Sequence, residues 1–329
     1  MTRALNQVVI LGGGTAGWLT ASTLAAEHGA SLDITLVESP DIPIIGVGEG
    51  TWPSMRTTLQ KIGVSERVLL KECDATFKQG TEFIGWRSQS EAHAYYHPFS
   101  LPAEYASLNL AEHWLASSVT SDFCATVTPQ AGVISASRAP KALGVPEFAF
   151  QFNYGYHFDA AKLSVLLRDH AVDALGVTHM LANLTEVEFS GSGAITALTL
   201  DNGTSLSGDV FVDCSGQRGL LIGEAMGVPT VSMGHVLPND RAIATQVPYS
   251  NPDAQIASVT RSTAQASGWI WDIGLQSRRG VGYVHSAAHI SEDEAVSSVL
   301  DYVKHTDERV AVGQLNVRVI PFDASRRSQ

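Results

Sequence analysis

Gln7-Val-Val-Ile-Leu-Gly-Gly-Gly-Thr-Ala-Gly17 is the stretch on which the fold of this 329-residue chain turns. Residues 8–11 form a short apolar, mostly β-branched run, the pattern of a strand buried on both faces of a parallel sheet. The run passes directly into Gly12-x-Gly14-x-x-Gly17, and residues 18–26 predict a helix. In such a strand–glycine–helix unit the first glycine permits a tight turn. The second lets a pyrophosphate reach the backbone, and the third lets helix and strand pack closely. Amides at the helix N-terminus then face the phosphates, where the helix dipole favours negative charge.

A glycine pattern alone is weak, and a second feature supports it. Asp33-Ile-Thr-Leu-Val-Glu38 predicts a second strand ending in an acid. Glu38 stands 21 residues past Gly17, where the fingerprint places a carboxylate that accepts from a ribose hydroxyl. Together the two predict a dinucleotide site held by Gly12, Gly14, Gly17 and Glu38.

Composition narrows the setting. The length suits about two domains at ~150 residues each. Apolar residues make up 44% and charged residues 16%, as in a globular protein with a sizeable core. Acids outnumber bases 33 to 21, a net charge of −12 that disfavours nucleic acid and anionic membrane as partners. Cys73, Cys124 and Cys214 form no C-x-x-C pair, which suggests reduced thiols in a cytoplasmic setting. The first strand begins by about Val8, leaving no room for a signal peptide, and no apolar run approaches a membrane span.

Further along, Pro43-Ile-Ile-Gly46-Val-Gly48-Glu-Gly50-Thr-Trp52-Pro53 sets glycines at alternate positions. This suits either a tight loop or backbone lying close against a flat ligand. Residues 51–70 predict a helix with Leu59, Ile62, Val68 and Leu69 as apolar contacts. Lys78 falls among apolar and aromatic neighbours at the head of a strand, where a surface lysine with a buried stem is the ordinary explanation. His93 and His97 are four apart, but Pro98 and the lack of a clear third ligand argue against a metal. An aromatic-rich loop touching a planar ligand suits them better. Residues 102–146 predict an irregular insertion.

Tyr156-His-Phe-Asp159 leads a helix over 160–175 that Gly176 stops. Strands are predicted over 178–184, 187–190, 195–200 and 205–206, the last after the Asp201-Asn-Gly203 turn. Asp209-Val-Phe-Val-Asp213-Cys-Ser-Gly216 is a buried strand ending in a small-residue turn, of the type that faces the cofactor crevice. No second G-x-G-x-x-G follows, which disfavours a dedicated nicotinamide domain. Residues 246–260 and Gly268-Trp269-Ile-Trp271-Asp-Ile273 predict antiparallel strands of a substrate domain, with both tryptophans on one face. Core packing explains such a pair equally well. A capping box at Ser291-Glu-Asp-Glu294 opens a helix to about His305, and residues 315–320 are a last strand-like run.

With Lys78 and the tryptophan pair in view, the chain resembles the flavin-dependent tryptophan halogenase family from Gln7 to about Pro321. The resemblance is carried by Gly12-x-Gly14-x-x-Gly17 with Trp18, Ile45-Gly-Val-Gly-Glu49-Gly50-Thr, Phe77-Lys78, Tyr156-His-Phe-Asp159, Asp213-Cys-Ser-Gly216 and Trp269-Ile-Trp271-Asp-Ile273. It implies an α/β chain with a GR2-type FAD-binding Rossmann-like fold and an antiparallel β substrate domain. The FAD-binding parts would span about residues 1–90 and 150–225, the substrate-side parts about 91–149 and 226–329, all in one discontinuous unit. It also implies that reduced FAD from a separate flavin reductase, oxygen and a halide ion yield hypohalous acid, which reaches an indole-type substrate. Lys78 is then the catalytic lysine that captures or hydrogen-bonds the hypohalous acid. Desolvation in an apolar pocket would suit it for that task by lowering its pKa. Cofactor contacts are implied for Gly12, Gly14, Thr15, Ala16, Gly17, Glu38, Gly48, Glu49, Gly50, Leu184 and Gly216. Substrate contacts are implied for His97 and Phe99, with Trp269 and Trp271 separating flavin from substrate. No metal is implied, and oligomeric state is left open, a homodimer included.

There are two departures from the family pattern. Gly274 stands where a proline usually follows W-x-W-x-I, relaxing the local backbone. The family's F-x-E-P-L-E-S-x-G-like stretch, with its catalytic glutamate, is absent from the 329 residues, so the chain reads as C-terminally shortened. Weak FAD binding and little turnover are expected on that account, unless another acid such as Glu49 substitutes. A flavin-dependent aromatic monooxygenase is one alternative, which the tryptophan pair disfavours. A flavin-binding remnant without turnover is another, which the missing glutamate favours.

Overall fold

A computed structural model of the chain describes residues 5–43, 46, 48–88 and 93–327. Strand β1 (Gln7–Leu11) enters helix α1 (Thr15–His28), and the chain returns through β2 (Asp33–Glu38). The short β3 (Glu49–Gly50) precedes helices α2 (Ser54–Ile62) and α3 (Glu66–Glu72). The single helix expected over 51–70 is thus two, because Gly63 turns into the left-handed region at φ 81° and Ser65 caps a new start. The break rotates Val68 to the surface, where it is 40% exposed rather than a core contact.

Strands β4 (Thr76–Lys78), β5 (Gly80–Ile84) and β6 (Ala94–Pro98) follow. The insertion carries short helices α4 (Leu110–Ala116), α5 (Phe123–Val127) and α6 (Gln130–Ser135). Then come β7 (Gly155–Phe158) and α7 (Ala160–Asp173), the helix capped by the Asp159 carboxylate. The strand expected over 178–184 divides into β8 (Thr178–Leu181) and β9 (Leu184–Phe189). Asn183 forces the division: its amide accepts from Ser39 and donates to Asp41 and Asp201, which holds the backbone out of the ladder. Strands β10 (Ile195–Leu200), β11 (Ser205–Ser207), β12 (Val210–Asp213) and β13 (Thr230–Ser232) complete the middle of the chain.

The remaining elements are β14 (Arg241–Pro248), β15 (Thr260–Gln265), β16 (Gly268–Gly274), β17 (Arg278–His285), α8 (Glu292–Thr306), β18 (Val317–Pro321) and β19 (Ser325–Arg327). The strand expected over 246–260 is therefore displaced: pairing covers 241–248 and resumes only at Thr260. The capping box at Ser291 is formed, with Glu294 bonded back to the cap.

Three sheets matter for the site. The order β12-β1-β2-β8 is wholly parallel, with α1 and α7 packed together on one face and the β11-β10-β9 sheet on the other. Seven strands run β18-β14-β17-β16-β15-β5-β6, and α8 covers one face through Ala295, Val299 and Val303. This sheet is not purely antiparallel, since β15 and β5 run parallel. It also takes in residues 80–84, which the division by sequence assigns to the nucleotide side. Between the two lies the antiparallel β3-β7-β4 sheet, whose central strand is buried throughout. Among the described residues no helix is long and apolar enough to cross a membrane.

Candidate active site

Gly12 and Gly14 of the fingerprint lie on the wall of a cleft of about 900 Å³ at the carboxyl ends of the parallel strands. Each glycine answers to a different neighbour. A Cβ on Gly12 would stand 2.2 Å from the Cys214 carbonyl oxygen, and one on Gly17 would stand 1.9 Å from the Gly12 oxygen. Those two let backbone pack on backbone. A Cβ on Gly14 would meet nothing within 4 Å, so that face is free for an approaching ligand. Thr15 and Ala16 form the first turn of α1 beside it. Glu38, Leu184 and Gly216 line the same cleft, so these three predicted cofactor residues converge on it with Gly12 and Gly14. The Glu38 carboxylate lies over Gly13, with Oε2 2.8 Å from Nε2 of His179. Asp213 caps the turn on the opposite wall, accepting from the Ser215 hydroxyl (2.5 Å) and from the backbone amides of Ile222, Ser215 and Leu221. Those bonds outweigh its partial burial and hold its carboxyl below the usual carboxylate range.

A second constellation forms around Lys78. The side chains of directly opposed residues share a face of an antiparallel pair. Register sets His157 opposite both Gly50 on β3 and Thr76 on β4, and Gly155 opposite Lys78. Lys78 therefore shares its face with His157 and two glycines that carry no side chain. Its Nζ reaches to 3.0 Å from where a Cβ on Gly50 would stand. The same amine lies 5.6 Å from the centre of the Phe99 ring, and Trp52 leans on Phe99 at 5.4 Å. Burial pushes the Lys78 amine below its ordinary pKa. Crowding by the surrounding protein pushes the Glu49 carboxyl up, though the residue stays open to solvent. His157 is fully buried, with Nε2 2.8 Å from the Thr260 hydroxyl, and burial followed by the Lys78 charge pulls it down to about 3.

Trp269 and Trp271 share a face of β16, their rings 6.4 Å apart at 61°. The intervening Ile270 packs into the core under α8, so the tryptophans point the other way. Trp271 lies against Gly282, where a Cβ would come within 2.1 Å of its ring. Ile273, on the tryptophan face of the same strand, meets the loop that carries Gly48, 3.7 Å from a Cβ position on that glycine. W-x-W-x-I, the Gly48–Gly50 loop, Lys78 and Phe99 thus form one chain of contacts. His97 stands apart from Lys78's immediate neighbours. It is exposed on β6 and lines a separate groove of about 870 Å³ with Phe83, Tyr95 and Leu101. His93 and His97 lie at and within a strand rather than on a helix face, and among the described residues no metal-binding cluster occurs.

Sequence reasoning missed Trp52, Thr260 and the side chain of His157 as parts of this site. Spacing carried no signal for Thr260, because it reaches His157 across 103 residues through a separate sheet.

Comparison with known proteins places these features in company. A profile of the tryptophan halogenase family matches residues 7–329. Tryptophan 6-halogenase SttH of Streptomyces toxytricini is 35% identical over 97% of this chain and 64% of its own length. Tryptophan 7-halogenase RebH of Lentzea aerocolonigenes is 34% identical over 97% and 63%. The crystal structure of a tryptophan halogenase from Shewanella frigidimarina NCIMB 400 superposes with a TM-score of 0.93 at 44% identity, covering 99% of this chain and 64% of that one. The chain thus spans a little under two thirds of the length of these relatives.

Proposed function

The chain belongs to the tryptophan halogenase family, and from that premise we propose that it forms the flavin cleft and lysine pocket of an FAD-dependent halogenase acting on tryptophan or a free indole. The observation that supports this best is the contact chain from Ile273 through Gly48 and Gly50 to Lys78 and Phe99. The cleft suits a dinucleotide: the open face of Gly14 admits a pyrophosphate, and Glu38 stands where a ribose hydroxyl would donate to it. Thr15 and Ala16 would offer helix N-terminal amides, while Leu184, Gly216, Gly48, Glu49 and Gly50 would lie along the cofactor. Bound in reduced form, as delivered by a separate flavin reductase, FAD would supply the two electrons that take oxygen to the peroxide level, the oxidant that converts a halide to hypohalous acid.

The chain's own residues then do the positioning. Lys78 holds the hypohalous acid, its lowered pKa enlarging the fraction of neutral amine near neutral pH. Phe99 offers an aromatic face for the indole next to that amine, whereas His97 opens into the separate groove. Trp269 and Trp271 keep the organic ring away from the flavin. The nucleotide-binding part runs through about residues 1–90 and 150–225, less the 80–84 strand, and the remainder forms the substrate side.

The test supplies the protein with FAD, a flavin reductase, oxygen, tryptophan and either bromide or chloride. The expected product, in low yield because the family's glutamate stretch is absent from the 329 residues, has one ring hydrogen replaced by whichever halogen is supplied. Lys78→Ala is expected to lose that product while flavin reoxidation continues. An oxygenated product independent of halide, or equal halogenation by Lys78→Ala, refutes the reading.

A further inference from the structure

We propose that His157 is a positioning residue for Lys78: anchored by the Thr260 hydroxyl, its imidazole is the wall that holds the lysine amine over the bare backbone of Gly50. The inference rests on the reading of Lys78 as the halogen-transfer lysine. A Cβ position on Gly50 measures the arrangement, with Lys78 Nζ 3.0 Å and His157 Cδ2 3.3 Å from it. Amine and imidazole edge therefore crowd one point, and only glycine at 50 leaves that point free.

The imidazole is an unusual choice for a wall. Its Nε2 is engaged by Thr260, but Nδ1 is buried without a hydrogen-bond partner among the described residues. Buried polar side-chain atoms are nearly always partnered, so a plain packing role would favour an apolar residue here. What imidazole adds is a fixed orientation, because a ring held at one nitrogen cannot rotate away from the lysine. Burial, with the Lys78 charge beside it, keeps the ring neutral, so no second cation stands next to the amine.

The anchor also links two sheets. His157 sits on the central strand of β3-β7-β4, and Thr260 opens β15, the neighbour of β16 with its tryptophan pair. This hydrogen bond acts beside that of the Thr76 hydroxyl to the Gly274 carbonyl (2.6 Å), and together they tie the Lys78 sheet to the strand of the Trp269–Trp271 pair.

Competitive acetylation with acetic anhydride across a pH series, read by mass spectrometry of the peptides carrying Lys78 and the exposed Lys71, tests the proposal. In the parent the Lys78 midpoint is expected below that of Lys71. Thr260→Val keeps the side-chain shape and removes the anchor, and His157→Ala removes the wall and admits water. Both are expected to raise the Lys78 midpoint toward that of Lys71, His157→Ala more. At fixed pH each unit of that rise lowers labelling about tenfold. An unchanged or lowered midpoint in Thr260→Val overturns the proposal, and that variant decides the matter even where His157→Ala does not fold. Labelling needs neither flavin nor halide. A midpoint that responds in a protein whose product is oxygenated and independent of halide would refute the halogenase reading and leave the positioning role standing.

Discussion

Glu66 holds the lysine-bearing sheet to the rest of the molecule, and its removal has a calculable cost. Its side chain is 3% exposed. Oε1 accepts from the hydroxyls of Tyr154 (2.5 Å) and Tyr156 (2.7 Å), which flank and lie on β7. Oε2 accepts from Lys141 Nζ (2.5 Å) and the Phe148 amide (3.0 Å), both from the insertion. Burial by itself would raise this carboxyl's pKa, but the four donors together hold it below its ordinary value. Glu66→Ala strands a buried ammonium and two buried hydroxyls, and breaking a buried pair in this way costs about 3–5 kcal/mol. Summing hydrogen bonds to a charge at about 1.5–3 kcal/mol each would give more, but the donors can partly re-pair. Against a total stability of about 5–15 kcal/mol, the loss should show as a large drop in the urea midpoint. Glu66→Met with Lys141→Met, which removes both charges, should recover much of it. Because the folded-state pKa is depressed, the contribution is fully present above the unfolded value of about 4.3 and is lost as pH falls through the folded value. The parent should therefore lose more stability than the double variant as pH falls from about 5 through the folded-state pKa. A Glu66→Ala midpoint within about 0.5 kcal/mol of the parent would refute the reasoning, since that is the scale of an inconsequential surface change.

Two further outcomes follow from glycine positions. Gly14→Val adds a branched side chain where the protein itself offers no obstacle, so folding is expected to be unaffected and FAD retention on gel filtration to be lost; undiminished flavin binding would contradict the assignment of the cleft. Gly282→Ala drives a methyl to 2.1 Å from the Trp271 ring and 2.5 Å from the Ile243 carbonyl oxygen, so ring and backbone must both shift, at a cost of at least about 1–3 kcal/mol. A shift in tryptophan emission, lost again when Trp271→Phe is added, is the expected signature.

Residue types alone account for the local order of the chain. The strand, glycine turn and helix over residues 7–28 follow one another within the reach of a few peptide bonds, so their residue types alone specify them. The same holds for the capping box at Ser291, where donor and acceptor are three residues apart. The motif resemblance singled out Trp269 and Trp271, two apart in a distinctive W-x-W-x-I pattern, and with them Lys78 beside Phe77, as residues expected to act. Tertiary structure decided everything that depends on register between distant strands. It placed residues 80–84 in the seven-stranded sheet, set Gly50 and Lys78 around His157, and brought Thr260 to the imidazole from 103 residues away. Pairing energy in a sheet depends on which neighbour a strand finds, and a residue's own periodicity says only which face it presents. The Glu66 cluster is illegible for the same reason: its partners at 141, 148, 154 and 156 become neighbours only once the insertion folds back onto α3.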